Sequence, residues 1–327
     1  MSNLDSIKIQ LPNDCILQLG DRFNHTQSID NKGRELQNKS TLTTTGLLGF
    51  KGVIVDNQKG VSTMEFSAKI LGENYPQGIN LNTITQVAEN INNSKQLTVD
   101  VNRFIENAEV LRLDVTDNIR PEVTSEILYS SLALIPVNKK YHVDHYNTKT
   151  NLGVVFKGNQ KTVRDRFILY DKVKDLTRDK ELRKQPYAIK VFNAFKDVVR
   201  VESNHSKFKD LKQLYGSRNL LDILGSDVKV NHKRFTSITN KSTDIKLFTQ
   251  FDGMIWSEIV KFEGYKGICD LCNMDWSLID MFIRIHNPNN YRRVKGELRT
   301  FYNSLNHNAR TVDINLIEHI KQLLLVA

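Results

Sequence analysis

Cysteine is nearly absent from this chain: there are three in 327 residues, an odd number. No disulfide framework can be built on that count, and a reducing cytoplasm is the expected setting. Long apolar runs are absent too. Nothing approaches the roughly 20 apolar residues of a membrane helix, so no membrane is expected as a partner. Met1-Ser2-Asn3-Leu4-Asp5 has neither the basic nor the apolar segment of a signal peptide. No G-x-x-x-x-G-K-[ST] loop and no G-x-G-x-x-G turn occurs, which disfavours an ATPase or a dinucleotide enzyme. Histidines are few and badly spaced for a metal. His142 and His145 stand three apart and would diverge on a strand, so a surface loop is expected there. Cys269 and Cys272 form a lone C-x-x-C without the two further ligands of a zinc site, and read as a core pair of thiols.

Positive charge is present in excess and unevenly placed. The net charge is +9. From Lys157 to Arg234 there are 20 Lys and Arg against 10 Asp and Glu; the remainder holds 26 against 27. The middle third therefore carries the whole excess. Phosphate contacts make nucleic acid the first partner to expect, and a solvated basic face is the bland alternative.

Apolar alternation and helical spacing give the elements. Ser6–Leu11 alternates as a half-buried strand. Residues 24–45, rich in Asn, Ser, Thr and Gln, read as a long loop. Residues 51–56 and 61–66 flank Asn57-Gln58-Lys59-Gly60 as a hairpin. Helical spacing over Leu81, Ile84, Val87, Ala88 and Ile91 precedes a strand over 109–116. A helix over 125–134 is followed by an antiparallel pair, 154–157 and 164–170. A helix over 186–195, a short strand over 198–202 and a helix ending at Gly216 complete the middle. Residues 231–244 read as a loop, and the chain beyond 244 as all helical. The expected class is α+β, a central, mainly antiparallel sheet flanked by helices and then a smaller helical region. The expected division is residues 1–230 and 235–327.

In a strand, residues i and i+2 share a face. Arg112 and Asp114 project together opposite Leu111 and Leu113. Arg200 and Glu202 do the same opposite Val199 and Val201, and Glu65 lies opposite Met64 and Phe66. If these strands are neighbours, three carboxylates converge, and such oxygen ligands suit Mg2+ or Mn2+. The alternative is that each acid simply faces solvent. Arg166-Phe167-Ile168-Leu169-Tyr170-Asp171-Lys172 reads as a strand ending on a tyrosine beside an acid and a lysine. Such a tyrosine can be core packing. It can also be a nucleophile, if its proton is relieved.

That segment resembles the catalytic-tyrosine strand of rolling-circle replication initiators of the staphylococcal plasmid type. Leu111-Arg112-Leu113-Asp114 resembles that family's Arg-Leu-Asp strand, Val199-Arg200-Val201-Glu202 its Arg-Val-Glu strand, and Thr63-Met64-Glu65-Phe66 its Val-Glu-Phe strand. The order is also similar to the gene II replication proteins of filamentous phages, with Leu220-Leu221-Asp222 comparable to their Leu-Phe-Asp. The resemblance covers about residues 50–225 and implies a divergent HUH-type endonuclease fold. The histidine pair of that class has no counterpart here, and Asp117 is a further candidate ligand. The implied activity is nicking and rejoining of single-stranded DNA at an origin through a 5′-phosphotyrosine intermediate. Tyr170 and Lys172 are the implied catalytic residues, with Glu65, Asp114 and Glu202 holding Mg2+ or Mn2+. Arg112, Arg164, Arg166 and Arg200 are the implied DNA contacts. The implied partners are origin DNA, single-stranded or supercoiled, with a host helicase and polymerase, in a bacterial cytoplasm if the gene is a phage's. A DNA-binding protein without catalysis and a metal-dependent nuclease using water are the alternatives.

Overall fold

The alternation that marks the half-buried strands closes into one large sheet. The computed structural model describes residues 3–43, 46–147, 152–159, 166–240, 242, 246–248, 256–305 and 313–327. Its strands are β1 (Asn3–Pro12), β2 (Ile16–Leu19), β3 (Asn24–Ile29), β4 (Glu35–Leu42), β5 (Phe50–Asp56), β6 (Val61–Ser67) and β7 (Leu97–Val99). Then come β8 (Glu109–Ile119), β9 (Tyr141–Tyr146), β10 (Gly153–Gly158), β11 (Arg166–Asp171), β12 (Val199–His205), β13 (Lys246–Phe248) and β14 (Asp313–Asn315). The helices begin with α1 (Ile84–Asn93), α2 (Val101–Asn107), α3 (Ser125–Leu134), α4 (Lys172–Leu176), α5 (Lys180–Arg183) and α6 (Ala188–Ala194). They continue with α7 (Phe208–Tyr215), α8 (Leu220–Leu224), α9 (Val230–Thr239), α10 (Trp256–Leu271), α11 (Trp276–His286), α12 (Tyr291–Leu305) and α13 (Leu316–Val326).

Ten strands form one sheet in the order β3-β4-β5-β6-β1-β8-β12-β11-β10-β9. Every neighbouring pair is antiparallel. One face is apolar. Ile7, Ile9, Met64, Phe66, Val110 and Leu113 pack there with Val87 and Ile91 of α1, Phe104 of α2 and Ile223 of α8. Farther along, Phe235 of α9 meets the rings of Phe156 and Phe167. The opposite face carries the polar residues of β1, β6, β8 and β12. The α+β class, with an antiparallel sheet flanked by helices and a C-terminal helical region, is therefore what the chain forms.

Several expectations change. Residues 24–42 are not a loop: β3 and β4 pair along Asn24–Ile29 and Glu35–Thr41. Every residue of β3 is exposed, so neither of its faces carries the apolar period that marks a strand. Residues 230–239 form α9, held by buried Val230, Phe235 and Ile238. His142 and His145 lie on strand β9, at register positions opposite Lys157 and Val154, and so on opposite faces. Arg164 falls outside the described residues. The chain divides into Met1–Asp244 with Ile317–Ala327, and Ile245–Leu316; a boundary at 230–235 would cut α9. The smaller unit is not purely helical, since β13 pairs with β14. Its core holds Cys269 and Cys272 as buried free thiols beside Ile279, Ile283 and Leu298. Among the described residues no helix is long and apolar enough to cross a membrane.

Candidate active site

Register places the motif residues in rows across the polar face. One row runs Asn118, Arg200, Tyr170, Gly153, Tyr146 over five strands, β8 to β9. The next holds Thr116, Glu202, Ile168 and Val155. The third contains Ser6, Asp114 and Asn204. A fourth contains Glu65, Lys8 and Arg112.

Tyr170 is 4% exposed. Its hydroxyl donates to Glu202 Oε2 at 3.1 Å, and Lys172 Nζ donates to the phenolic oxygen at 3.3 Å. The strand stops here because Asp171 turns its carboxylate back to accept from Lys174 N, starting α4. Lys172 is thereby the first residue of a helix, buried, with Nζ also 3.1 Å from Asp175 Oδ2. Burial and then the Glu202 charge hold the Tyr170 phenol well above its ordinary pKa. Burial, then Asp5 and Asp114, push Glu202 up to about 7, against Lys172 and Arg200. The tyrosine is a phenol at neutral pH, hydrogen-bonded to a carboxylate whose pKa suits a proton acceptor there.

Asp5 is a member of this cluster that the spacing of the motifs does not reveal. It sits at a register shift of β1, between Leu4 and Ser6, which turns it onto the polar face. Arg200 Nη1 reaches Asp5 Oδ1 at 2.5 Å, and Arg200 Nε reaches Asn118 Oδ1 at 3.1 Å. Tyr75 Oη donates to Asp5 Oδ1 at 3.2 Å. The Arg200 guanidinium lies 4.8 Å from the Phe195 ring centroid. Burial raises Asp5, but Lys172, Arg200 and Lys69 more than offset it and bring the pKa down to about 2.

The sequence matches no protein-family model and no curated protein. Among solved structures, the fold is similar to a rolling circle replication initiator protein from Geobacillus stearothermophilus. The TM-score is 0.36 at 8% identity, over 72% of this chain and 84% of that one. It is also similar to TBP from Methanococcus jannaschii, with TM-score 0.25 and 9% identity, over 68% of this chain and 97% of that one. Likenesses this distant carry no argument about activity.

The fold brings Tyr170, Lys172 and Glu202 into contact, with Asp114 nearby. It does not bring Glu65 to them. Lys8 stands between Glu65 and the β8 strand in register, and Glu65 Oε1 is held by Lys51 and by Arg112, each at 3.1 Å. Burial raises the Glu65 pKa, and Lys51, Arg112 and Lys8 outweigh it, so the net shift is downward. Asp114 accepts from Asn204 Nδ2, and burial raises its pKa. Asp117 lies on the opposite face, where Asn231 of α9 donates to it at 3.0 Å. Among the described residues no three carboxylate, imidazole or thiol groups stand close enough to hold one metal ion. Carboxylate donors are the right chemistry for Mg2+ or Mn2+, but Asp5, Asp114 and Glu202 are each engaged by another side chain. The residues present do not make a formed metal centre.

Arg200, expected at DNA, is buried and tied to Asp5. Arg112 and Arg166 do reach an open surface. With Lys8, Asp114, Asn204 and Ser206 they line a groove of 560 Å3 on the polar face. Lys8 also lines an adjoining 200 Å3 hollow with Lys51. Lys8 was legible as a polar alternate on its strand; Asn204 lies past the 198–202 strand expected from the sequence, and Tyr75, in a 3-10 segment (Ala68–Gln77), carried no signal at all.

Proposed function

We propose that this chain is a DNA strand transferase: a replication initiator that nicks one strand at an origin and later rejoins it. The observation that carries this reading is the Tyr170 hydroxyl, hydrogen-bonded to Glu202 and Lys172 on the face that also holds the Arg112–Arg166–Lys8 groove. In the nicking step the Tyr170 oxygen forms a bond to the scissile phosphorus, and the bond from phosphorus to the 3′ oxygen breaks. The phenolic proton passes to Glu202, and the departing 3′ oxygen takes a proton from solvent. Lys172 Nζ faces the negative charge that develops on the phenolic oxygen. The covalent link conserves the phosphodiester bond, so rejoining is the same exchange in reverse and needs no ATP.

No step here is routed through a metal, because the carboxylates are not gathered around one. Dependence on Mg2+ or Mn2+ remains part of the proposal. Asp114, whose side chain is hydrogen-bonded by the neutral Asn204, is the carboxylate of this face that an ion would reach first. A bound ion would polarise the phosphate.

A second reading, a DNA-binding protein without catalysis, is favoured by one observation: Tyr170 is nearly inaccessible. One experiment separates the two. The purified chain is incubated with a random-sequence pool of single-stranded oligonucleotides and Mn2+, then denatured in SDS. The first reading expects a protein–DNA adduct that disappears in Tyr170→Phe. An adduct that persists in Tyr170→Phe moves the nucleophile elsewhere. Salt-sensitive binding with no adduct supports the second reading, and cleavage with no adduct supports hydrolysis by water.

A further inference from the structure

The basic excess of the middle third does not lie mainly on the polar sheet face. Of its cations, Arg200 and Lys172 are buried in the tyrosine cluster. The densest exposed group follows Tyr170 directly, over α4, α5 and α6. From Lys174 to Lys196 seven Lys and Arg are exposed, against one exposed acid, Glu181.

The acids of this stretch are engaged by the fold. Asp171, just before it, caps α4. Asp175 receives the buried Lys172. Asp179 caps α5 through Glu181 N and Leu182 N, and its other oxygen takes Lys69 Nζ. Glu181 pairs with Lys184 at 2.7 Å. Lys180, Arg183 and Lys196 make no ion pair among the described residues. Turning the acids to caps and buried lysines, and the unpaired cations to water, leaves this stretch with a large excess of exposed positive charge.

The geometry points to α4–α6 as a sequence-independent seat for the phosphate backbone of duplex DNA flanking the cleaved strand. It rests on the proposed function only in taking DNA as the partner. Duplex DNA fits because three exposed cations without an ion pair, with only the half-buried rings of Tyr187 and Phe192 between them, suit regularly spaced phosphates rather than stacked bases. The segment starts two residues past the tyrosine, and Lys174 and Lys196 line one hollow with Asp171, so duplex held there would lie beside the strand being cut.

The test is fluorescence anisotropy of a labelled 20-base-pair duplex across a salt series, with Lys180→Gln, Arg183→Gln and Lys196→Gln combined. None of the three touches the tyrosine cluster. The slope of log affinity against log salt should fall by up to about 2.7, at about 0.9 for each lost phosphate contact. A control combining Lys32→Gln, Lys59→Gln and Lys95→Gln removes the same charge from other exposed sites and should leave the slope nearly unchanged. Adduct formation on a short single strand should survive the α4–α6 triple change. An unchanged slope in that variant overturns the proposal, as does an equal drop in the control. No nicking by the unmodified chain, with the salt slope still falling in the α4–α6 variant, would count against the proposed function alone.

Discussion

Replacing Arg200 by methionine tests whether the tyrosine cluster is built on a buried charge pair. Methionine keeps much of the volume against Phe195 and removes the cation. The Arg200 side chain is 3% exposed and that of Asp5 19%, so little solvent is available to take over. Asp5 sits at about 2 in the fold, against 3.8 ordinarily. At 1.36 kcal/mol for each pKa unit, this depression stabilises the fold by roughly 2 kcal/mol at neutral pH. Because the folded pKa is the lower one, that contribution is present above pH 4 and is lost as pH falls toward 2. Arg200→Met leaves Asp5 desolvated, with only Lys172 and Lys69 to oppose its charge. Removing one partner of a buried pair costs about 3–5 kcal/mol. The expected result is a loss of that size at pH 7, shrinking by about 2 kcal/mol near pH 3 as Asp5 takes up a proton. Both tryptophans, Trp256 and Trp276, lie in the smaller unit. Unfolding of the sheet must therefore be followed by circular dichroism or hydrogen exchange rather than tryptophan fluorescence. Asp5→Asn added to Arg200→Met should recover about 2 kcal/mol, since no buried anion is then left alone. A loss under 1 kcal/mol at pH 7, or one that does not change with pH, would refute the reasoning.

Three further outcomes rest on the same physics. Glu202 is raised to about 7 from 4.5, so its burial costs stability progressively as pH rises from 4.5 to 7. Glu202→Gln should gain at most about 3 kcal/mol at pH 8 and nothing at pH 4 in urea titrations, while losing the DNA adduct. Buried His205 is held down to about 4, chiefly by burial. The unfolded chain protonates below pH 6.5 and the fold does not, so this group alone costs up to about 3 kcal/mol from pH 6.5 to 4, opposing the gain from Glu202 over the same range; the stability of His205→Gln relative to wild type should rise by that amount as pH falls. At Gly153 an added Cβ would stand 2.0 Å from the Leu169 carbonyl oxygen and 2.7 Å from Tyr170 Cα. Gly153→Ala should therefore unpair β10 from β11, seen as lost amide protection over Phe167–Tyr170, with adduct formation abolished; unchanged protection would show that the pair accommodates the added Cβ without parting.

The strands that carry the site were legible because each is half-buried. Leu113 and Val115 against Arg112, Asp114 and Thr116 define both faces of β8, but the alternation misplaces Leu111, which a register shift turns to the polar-face groove while Val110 takes the core. A shared face does not specify distance. Glu65 and Asp114 share one, but β1 intervenes with Lys8, and strand order is a property of the whole sheet. Asp5 was hidden by a bulge, although the signal existed. Leu4 and Ile7 are both fully buried on the apolar face, yet they are three residues apart where a regular strand requires two. β3 was illegible for the opposite reason, since a strand exposed throughout has no periodicity to read.

The burial of Tyr170 is a property of the sheet's edge as much as of its centre. Two tyrosines occupy one row with Gly153 between them, and their rings, two strands apart, lean to a centroid distance of 5.4 Å. The glycine is needed for this on both sides. It lets β11 approach closely, and it leaves open the space over which the rings meet. Tyr146, half-buried, belongs to β9, which among the described residues pairs on one side only. Such an edge strand opens locally at a fraction of the free energy needed to disturb β12 or β8. Displacing Tyr146 would uncover one side of Tyr170 while the Asp5–Arg200 pair and the Glu202 hydrogen bond stayed in place. The accessible and the anchored sides of the tyrosine thus fall on strands of different stability. That division lets a phenol be held against its carboxylate and still be reached by a phosphate.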